Sequence, residues 1–408
     1  MSRTLLMLTL TVLALLCSTA YGDELLIVNG SAETLGRINL ETNEVNANIA
    51  QLGIWPNEIL ISGDSAFIIN SGPDEISVYD LADSSMVNTI SIGPGFTKNP
   101  YNMAEITPDT FLVTNWLSGS VTKFTASGEV VGEYPIDGDN PQGILSIGDT
   151  SFITTVSFVW NDTSYDNGFV AAWDNIGDST LFPLKVGDNP NDLSLGPDGN
   201  LYVACAGKYG EDYGSIYIVD PSLMQVVDSI IIGGDPTDID ILPNGIGFIA
   251  AGGDWFSGGQ GFVMTIDINT RAVLHGENDP LVTDAGVMSV MVASDSTVFS
   301  FNWADDTITE LDSAGNVLRR FLAGDGCQAG AIWRTSDVCE YPRGDANASG
   351  GVDIDDVVYL IGYIFDSGPE PVCDKVSGDV NCSGGVDIDD VVYLIGYIFS
   401  EGPAPCDY

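Results

Sequence analysis

Two segments of the 408-residue chain, 34 residues apart, carry oxygen-bearing side chains at a regular spacing. Both contain the heptapeptide Gly-Gly-Val-Asp-Ile-Asp-Asp, at 350–356 and 384–390. A twelve-residue loop can bind Ca²⁺ through oxygens at positions 1, 3, 5, 7, 9 and 12. Those positions are Asp345, Asn347, Ser349, Gly351, Asp353, Asp356, Asp379, Asn381, Ser383, Gly385, Asp387 and Asp390. The spacing predicts two Ca²⁺ ions, with the position-7 glycines giving backbone carbonyls and the position-9 aspartates acting through water.

The residues around each loop fit the same interpretation. Gly350, at position 6, permits a sharp turn, and the position-8 residues Val352 and Val386 are apolar, as residues that pack two loops together should be. A helix is expected after each loop. The apolar residues predicted to pack the two helices together are Val357, Leu360, Ile361, Ile364, Val391, Leu394, Ile395 and Ile398. The alternative is a pair of solvated acidic turns.

This duplicated loop and helix resembles the type I dockerin module, over residues 341–408. The resemblance implies calcium-dependent docking to a cohesin-like or cell-surface protein. It also implies that loop positions 10 and 11 contact the partner, which here are Ile354, Asp355, Ile388 and Asp389. The chain departs from the family pattern in having Ser at position 5. It also has Gly362 and Gly396 where the family usually has a basic residue in the helix.

Residues 24–335 show a different repeat, in which short apolar runs recur. The runs are 25–29, 66–70, 111–115, 152–156, 201–205, 248–251 and 298–302. Their mean step of about 45 residues is the spacing of a four-stranded propeller blade. Segments with alternating polarity flank each run, and several begin with Pro, as at 56–61, 141–147, 190–195 and 236–241.

The fold class predicted from these repeats is all-β, a seven-bladed β-propeller at 23–340, followed by the small all-α dockerin-like domain. The first blade lacks an inner strand of its own, and 329–333 can supply it and close the ring. A β-sandwich, a β-helix, or a ring of six or eight blades remain alternatives. The runs at 67–70, 111–115 and 201–204 resemble YVTN-type propeller repeats. Such propellers include binding proteins, surface proteins and a few enzymes, so the resemblance implies an architecture and not an activity.

Aromatic residues are frequent in the loops that a propeller would place on one face. The candidate ligand-binding residues are Trp116, Trp160, Tyr209, Trp255 and Trp303, in loops that follow second strands. Trp55, Phe96 and Tyr101 lie in loops between blades on the same face. Aromatic rings beside carboxylates predict a surface for a polysaccharide or protein ligand. The alternative is ordinary packing of loops on the sheets.

Signals for catalysis are few, and no catalytic residue is assigned. His275 is the one histidine, and the chain lacks Gly-x-Ser-x-Gly, phosphate-loop and Cys-x-x-Cys motifs. Carboxylates are so numerous that a glycosidase pair could not be recognised among them. The sequence favours a binding protein. A dockerin-tethered propeller enzyme, acting on polysaccharide as a hydrolase or lyase or on a lactone, remains the alternative.

The charge balance excludes one class of partner. The chain has 12 Lys and Arg against 58 Asp and Glu, a net charge of −46. Such a chain repels phosphate backbones, so nucleic-acid binding is not expected.

Residues 1–22 read as a secretory signal, with Arg3 before a run of about 12 apolar residues that is too short to span a bilayer. An N-terminal anchor is the alternative. No later apolar run reaches spanning length, so a secreted protein, extracellular or at the cell surface, is expected. Six cysteines remain beyond the signal. A local Cys327–Cys339 disulfide and a buried free thiol at Cys205 are predicted, with the remaining connectivity open.

Overall fold

The computed structural model describes most of the chain beyond the predicted signal. The described residues are 23–159, 164–208, 213–252, 261–294, 296–334, 341–366, 368–372, 376–382, 385–400 and 402–406. The predicted signal segment 1–22 lies outside them, as do Trp160, Tyr209, Trp255, Cys339 and Ser383.

Short strands follow one another from residue 24 to residue 333. They are β1 Glu24–Asn29, β2 Thr34–Asn39, β3 Val45–Gln51, β4 Pro56–Ser62, β5 Ser65–Asn70, β6 Glu75–Asp80, β7 Ser85–Ser91, β8 Pro100–Thr107, β9 Thr110–Asn115, β10 Ser120–Thr125, β11 Val130–Pro135, β12 Pro141–Ile147, β13 Thr150–Val159, β14 Ser164–Asp174, β15 Ser179–Lys185, β16 Pro190–Leu195, β17 Leu201–Cys205, β18 Ser215–Asp220, β19 Gln225–Ile231, β20 Pro236–Ile241, β21 Ile246–Ala251, β22 Gly261–Asp267, β23 Ala272–His275, β24 Val282–Asp284, β25 Val287–Val292, β26 Val298–Asn302, β27 Thr307–Leu311, β28 Val317–Leu322 and β29 Cys327–Trp333.

These strands form seven antiparallel sheets, the blades of a propeller. The blades are β29-β1-β2-β3, then β4 to β7, β8 to β11, β12 to β15, β16 to β19, β20 to β23 and β25 to β28, and β24 pairs with β22 in the sixth blade. The innermost strands contact one another in sequence, and the last, β29, contacts β4. The ring is therefore closed, and the predicted seven-bladed propeller is confirmed.

The first blade joins the two ends of the propeller. Strand β29 pairs with β1 from Glu24 opposite Trp333 to Asn29 opposite Cys327. The prediction that 329–333 completes this blade is confirmed, and the strand begins two residues earlier. The second strand of each blade is buried on both faces, which explains why these strands appear in the sequence as continuous apolar runs.

Side-chain hydrogen bonds to the next blade cross every joint of the ring. The donor and acceptor pairs are Asn57 Nδ2 and Tyr101 O (2.7 Å), Thr114 Oγ1 and Gln142 O (2.7 Å), Thr154 Oγ1 and Asn191 O (3.1 Å), Asn191 Nδ2 and Pro236 O (2.8 Å), Thr237 Oγ1 and Met288 O (2.9 Å), Ser289 Oγ and Gln328 O (2.8 Å), and Gln328 Nε2 and Asn57 Oδ1. One of these bonds is buried and the others are partly buried, and together they link each blade to the next around the axis.

Two helices of thirteen residues follow, α1 (Ile354–Asp366) and α2 (Ile388–Ser400). Val357 and Leu360 of α1 pack against Val391 and Leu394 of α2, in one apolar cluster with both position-8 valines. Within the described part of the chain, neither helix is long enough to cross a membrane.

The predicted packing faces of the helices were wrong at one position each. Ile361 is 39% exposed and Ile395 is 40% exposed. Tyr359 and Tyr393 pack on the cluster instead, and their hydroxyls donate to the carbonyls of Glu370 and Ala404. Each helix therefore has an apolar face outside the contact between the two helices.

The cysteine predictions were partly right. Cys205 is a free, buried thiol, as predicted. Cys327 is also free and buried, so the predicted bridge to Cys339 is wrong: strand β29 directs the Cys327 side chain into the apolar core of the propeller. A disulfide joins Cys382 to Cys406 in the C-terminal region.

Candidate functional site: the propeller mouth, its channel and the acidic loops

A cavity of about 520 Å³ opens at the aromatic face of the propeller and is called the mouth pocket below. The residues that line it include Trp55, Asn57, Asn99, Tyr101, Trp303 and Gln328. Trp303 was a predicted ligand residue, and its backbone N–H donates to Gly286 O at 2.8 Å. The ring brings Trp55 and Trp303 together although they come from blades at opposite ends of the propeller sequence.

Trp116, the other described ligand candidate, lies outside the lining of this pocket. Its N–H donates to Asn99 O at 2.9 Å, and its ring packs on Phe158 with centroids 5.8 Å apart. Trp116 therefore supports the neighbouring rim loop. Trp55 and Tyr101 were placed on the correct face by the sequence but were left out of the predicted ligand set. Trp55 stands directly before a proline that starts an inner strand, and Tyr101 stands directly after another. These positions were the available signal in the sequence.

The loop at 93–99 is built around one carboxylate. Five donors surround Asp74: Gly95 N (3.0 Å), Thr97 N (3.0 Å), Thr97 Oγ1 (2.8 Å), Lys98 N (3.1 Å) and Asn99 N (3.1 Å). Burial acts to raise the pKa of Asp74, but the hydrogen bonds from Thr97, Asn99 and Lys98 outweigh it and lower the pKa below the usual 3.8. The loop places Phe96 edge-on against Trp55, with centroids 5.6 Å apart.

Replacing this carboxylate is expected to loosen the mouth. In Asp74→Asn an NH₂ group would face the donors of Gly95 and Thr97, so a loss of about 2–3 kcal/mol is expected. Because the folded pKa is lowered, the stabilisation is present above pH 4 and disappears as the pH falls through the folded pKa. Urea unfolding of both proteins from pH 3 to pH 7 should show the difference growing with pH. A constant difference would contradict the assigned ionic role.

Behind the mouth pocket, a second cavity of about 310 Å³ follows the propeller axis and is called the axial channel. The two cavities share Asn57, Tyr101 and Gln328 in their linings, so they adjoin each other. The channel is lined by residues of all seven innermost strands, including four acids, Glu58, Asp192, Asp238 and Asp240. None of the described residues that line it is Lys, Arg or His.

Burial without a neutralising base shifts these acids toward the protonated form. Burial, aided by the charge of Asp238, raises the pKa of Glu58 to about 8, and burial raises that of Asp240 to about 6. The pKa of Asp192 is raised well above its usual value by burial and by Asp238. The side chains of Asp192 and Asp238 are hydrogen-bonded to each other, burial also raises the pKa of Asp238, and Asp238 Oδ2 accepts from Val290 N at 2.9 Å. This cluster could not be recognised in the sequence, because its members are scattered among 58 acids.

The two acidic loops near the end of the chain have matching geometry. In the first, Asp345 and Asp356 are fully buried, and Asp345 accepts hydrogen bonds from Ser349 N (2.9 Å) and Gly350 N (2.8 Å). Asn347 N donates to Asp356 Oδ1 at 3.2 Å, and the equivalent bond from Asn381 to Asp390 is 3.3 Å. Gly350 has φ of +95°, the left-handed turn predicted at position 6.

Burial raises the pKa values of the loop-closing aspartates. For Asp356, the charges of Asp345 and Asp353 also act to raise it, and Asp390 has the equivalent neighbours. Among the described residues, no three His, Cys, Asp or Glu side chains are gathered closely enough to hold a metal by themselves. A calcium loop does not require this, because amide, hydroxyl and backbone oxygens complete its ligand set. The loops thus offer hard oxygen donors together with mutually repelling carboxylates.

One asymmetry separates the loops. Arg343 donates to the backbone carbonyl of Asp379 at 2.7 Å, with its guanidinium 3.6 Å from the Asp379 carboxylate. Ser377 occupies the corresponding repeat position beside the first loop. The second loop therefore has a fixed positive charge next to its first predicted ligand. The four predicted docking residues, Ile354, Asp355, Ile388 and Asp389, are all exposed.

Solved structures share the propeller fold. The chain is similar to *Kuenenia stuttgartiensis* hydrazine synthase at 17% identity and a TM-score of 0.55, covering 69% of this chain and 95% of that one. It is also similar to virginiamycin B lyase from *Staphylococcus aureus* (12%, TM-score 0.51, covering 65% and 83%) and to a streptogramin B lyase (14%, TM-score 0.50, covering 66% and 86%). No protein-family model matches the chain, and no curated protein matches it in sequence. Identities this low show a common fold alone.

Proposed function

We propose that this chain is a secreted, non-catalytic binding protein with two binding surfaces. The propeller binds a polysaccharide or protein ligand at its aromatic face. The C-terminal helix pair is a dockerin-like module that binds two calcium ions and docks to a cohesin-like or cell-surface protein. Calcium would neutralise the repelling carboxylates and hold each loop closed before its helix. The residues that would hold it are the loop oxygens assigned from the sequence.

The observation that carries the docking proposal is a pair of matching exposed apolar stripes. Ile354, Val358, Ile361 and Phe365 on α1 are between 39% and 63% exposed. Their repeat equivalents on α2, namely Ile388, Val392, Ile395 and Phe399, are between 40% and 63% exposed. Spacings of three and four residues place each set along one side of its helix. Exposed apolar surface of this extent is typical of a protein-binding surface.

Internal symmetry supports two equivalent ways of docking. The repeat of 34 residues is reproduced in the contacts: Val372 N donates to Ala346 O at 3.3 Å, and Cys406 N donates to Val380 O at 3.2 Å. The predicted docking residues at loop positions 10 and 11 are identical in the two repeats. A partner that recognises one stripe therefore meets the same side chains after a half-turn of the module.

The test is binding to immobilised recombinant cohesin modules in calcium-containing buffer. Ile354→Asp with Asp355→Ala alters one stripe, and Ile388→Asp with Asp389→Ala alters the other. Either pair alone is expected to weaken binding by about threefold or less, and all four changes together by more than about 100-fold, since the combined variant loses both hot-spot surfaces. Abolition by the first pair alone would contradict the two-way docking.

A further inference from the structure

The mouth pocket has the composition of a sugar-binding site. A sugar ring presents apolar C–H faces and a polar hydroxyl edge. The pocket offers the indoles of Trp55 and Trp303 and the phenol ring of Tyr101 for the faces. The amides of Asn57, Asn99 and Gln328 supply donors and acceptors along the same wall. Its volume lies within the range of small-ligand sites.

Backbone strain marks the rim of this pocket. Trp55 has φ of +54° and Phe96 has φ of +56°, a region that costs a bulky residue about 1–2 kcal/mol. Both side chains are nevertheless more than half exposed, so burial of the rings does not offset the strain. The same positive φ recurs at Asn99, Asn140 and Asn189, before the prolines of three other inner strands, so this backbone conformation belongs to the blade repeat. Here it holds two aromatic rings in fixed, edge-to-face contact at the mouth.

Hydrogen bonds anchor the loops that carry these rings. Trp55 O accepts from Ser71 N at 2.9 Å, and Phe96 N donates to Gly72 O at 2.7 Å. The Asp74 carboxylate anchors the rest of the second loop. A preformed platform loses little conformational entropy on binding, which favours affinity.

The charges around the pocket select among ligands. Glu33 lies in its wall, and the chain as a whole carries a net charge of −46. The nearby Lys98 is buried and paired with Glu133, with Nζ and Oε2 2.8 Å apart. An anionic sugar would therefore meet repulsion, whereas a neutral ring would not.

From these observations we infer that the mouth pocket binds a neutral pyranose residue of a polysaccharide chain, with Trp55 as the principal stacking surface. This inference rests on the proposed binding function of the propeller and specifies its ligand class and its site. Trp303 and Tyr101 form the opposite apolar contacts, and the amide side chains fix the orientation of the hydroxyls.

The experiment is affinity gel electrophoresis of the full chain in soluble β-glucan, galactomannan, arabinoxylan and polygalacturonate. At least one neutral polysaccharide should retard the wild type, and polygalacturonate should not. Trp55→Ala is expected to weaken that binding at least tenfold, and Trp303→Ala similarly, while Trp55→Phe retains most of it. Phe182→Ala is the matched control, because Phe182 is an exposed aromatic on the outer strand β15, outside this pocket. Melting curves establish that each variant is folded.

The outcomes separate the inference from the proposed function. If the wild type binds a neutral polysaccharide and Trp55→Ala and Trp303→Ala bind it equally well, the assigned pocket is wrong while the binding function stands. Retardation by polygalacturonate alone overturns the neutral ligand class. No retardation in any polysaccharide overturns the inference altogether. The broader binding function would then depend on a protein-array screen of the same chain.

Discussion

Chelating calcium from the full chain is expected to unfold the C-terminal helix pair while leaving the propeller folded. Six fully buried apolar side chains form the centre of the module's core, together with one described disulfide, Cys382–Cys406. A core of this size contributes little net stability. The buried Asp345, Asp356 and Asp390 carboxylates would remain close to like charges without a cation. When free Ca²⁺ is present at 1,000 times its Kd, each bound ion adds about 4 kcal/mol to the free energy of unfolding.

Circular dichroism measures this directly, because the described helices of regular α type lie in this module and the propeller is built of strands. The helical signal at 222 nm should fall by most of its value in EDTA and return with added Ca²⁺, while the propeller's high-temperature transition stays unchanged. Asp356→Asn and Asp390→Asn should each remove one ion from a calcium titration. The second loop should bind more weakly, because Arg343 lies beside Asp379. An undiminished helical signal in EDTA would refute the calcium proposal.

Replacing one buried acid of the axial channel is expected to stabilise the propeller at alkaline pH. Glu58 has a pKa raised from 4.5 to about 8, mainly by burial. Between these values the folded state binds a proton that the unfolded chain releases, so stability falls as pH rises through this window. Glu58→Gln removes the titrating group, and its amide oxygen can still accept from Ile59 N. At pH 8 the variant should be more stable by about 4 kcal/mol, because the wild type loses about 1.4 kcal/mol per pH unit across this window.

The test compares the melting temperatures of the wild type, Glu58→Gln and a control variant at several pH values. Melting temperatures of wild type and Glu58→Gln should coincide near pH 4 and diverge steadily up to pH 8. Glu44→Gln, an exposed acid just before β3, is the control and should follow the wild type. Asp192, Asp238 and Asp240 add to the alkaline loss in all three proteins, so the difference between the curves reports Glu58 together with its charge coupling to Asp192 and Asp238. Parallel curves would show that Glu58 ionises normally in the folded chain.

The propeller could be predicted from sequence because its strands repeat at a regular spacing and have recognisable starting residues. Proline opens the innermost strands at residues 56, 100, 141, 190 and 236, where its fixed φ suits the first residue of a strand and its missing N–H costs no ladder bond. The second strand of each blade is buried on both faces and therefore appears in the sequence as an apolar run. Strand β24 went unpredicted, since three residues paired outside the main path leave no periodic signal.

The functional residues were harder to predict because they depend on contacts between distant segments. Trp55 and Trp303 share a pocket only once the ring has closed, and the local sequence of Trp303 does not distinguish it from Trp116. Glu58 and Asp192 become a cluster only when strands from different blades meet at the axis. Ile361 and Ile395 satisfy the helical period for the core, but the helices present a second apolar side. Periodicity identifies apolar residues without saying which neighbour covers them.

The pairing of β29 with β1 also sets the order in which the propeller can be made. On its β2 side Glu24 pairs early, with Asn39, but its partner on the inner side, Trp333, comes more than 300 residues later, so the ring stays open throughout almost the whole of translation of the propeller. Contacts between residues this far apart in sequence make folding slow. Until β29 has been made, the unpaired edge of β1 is exposed and can pair with a strand other than β29. A nascent chain that stops before residue 327 therefore has six finished sheets and no closed ring. One that stops shortly after residue 334 has every strand the propeller needs.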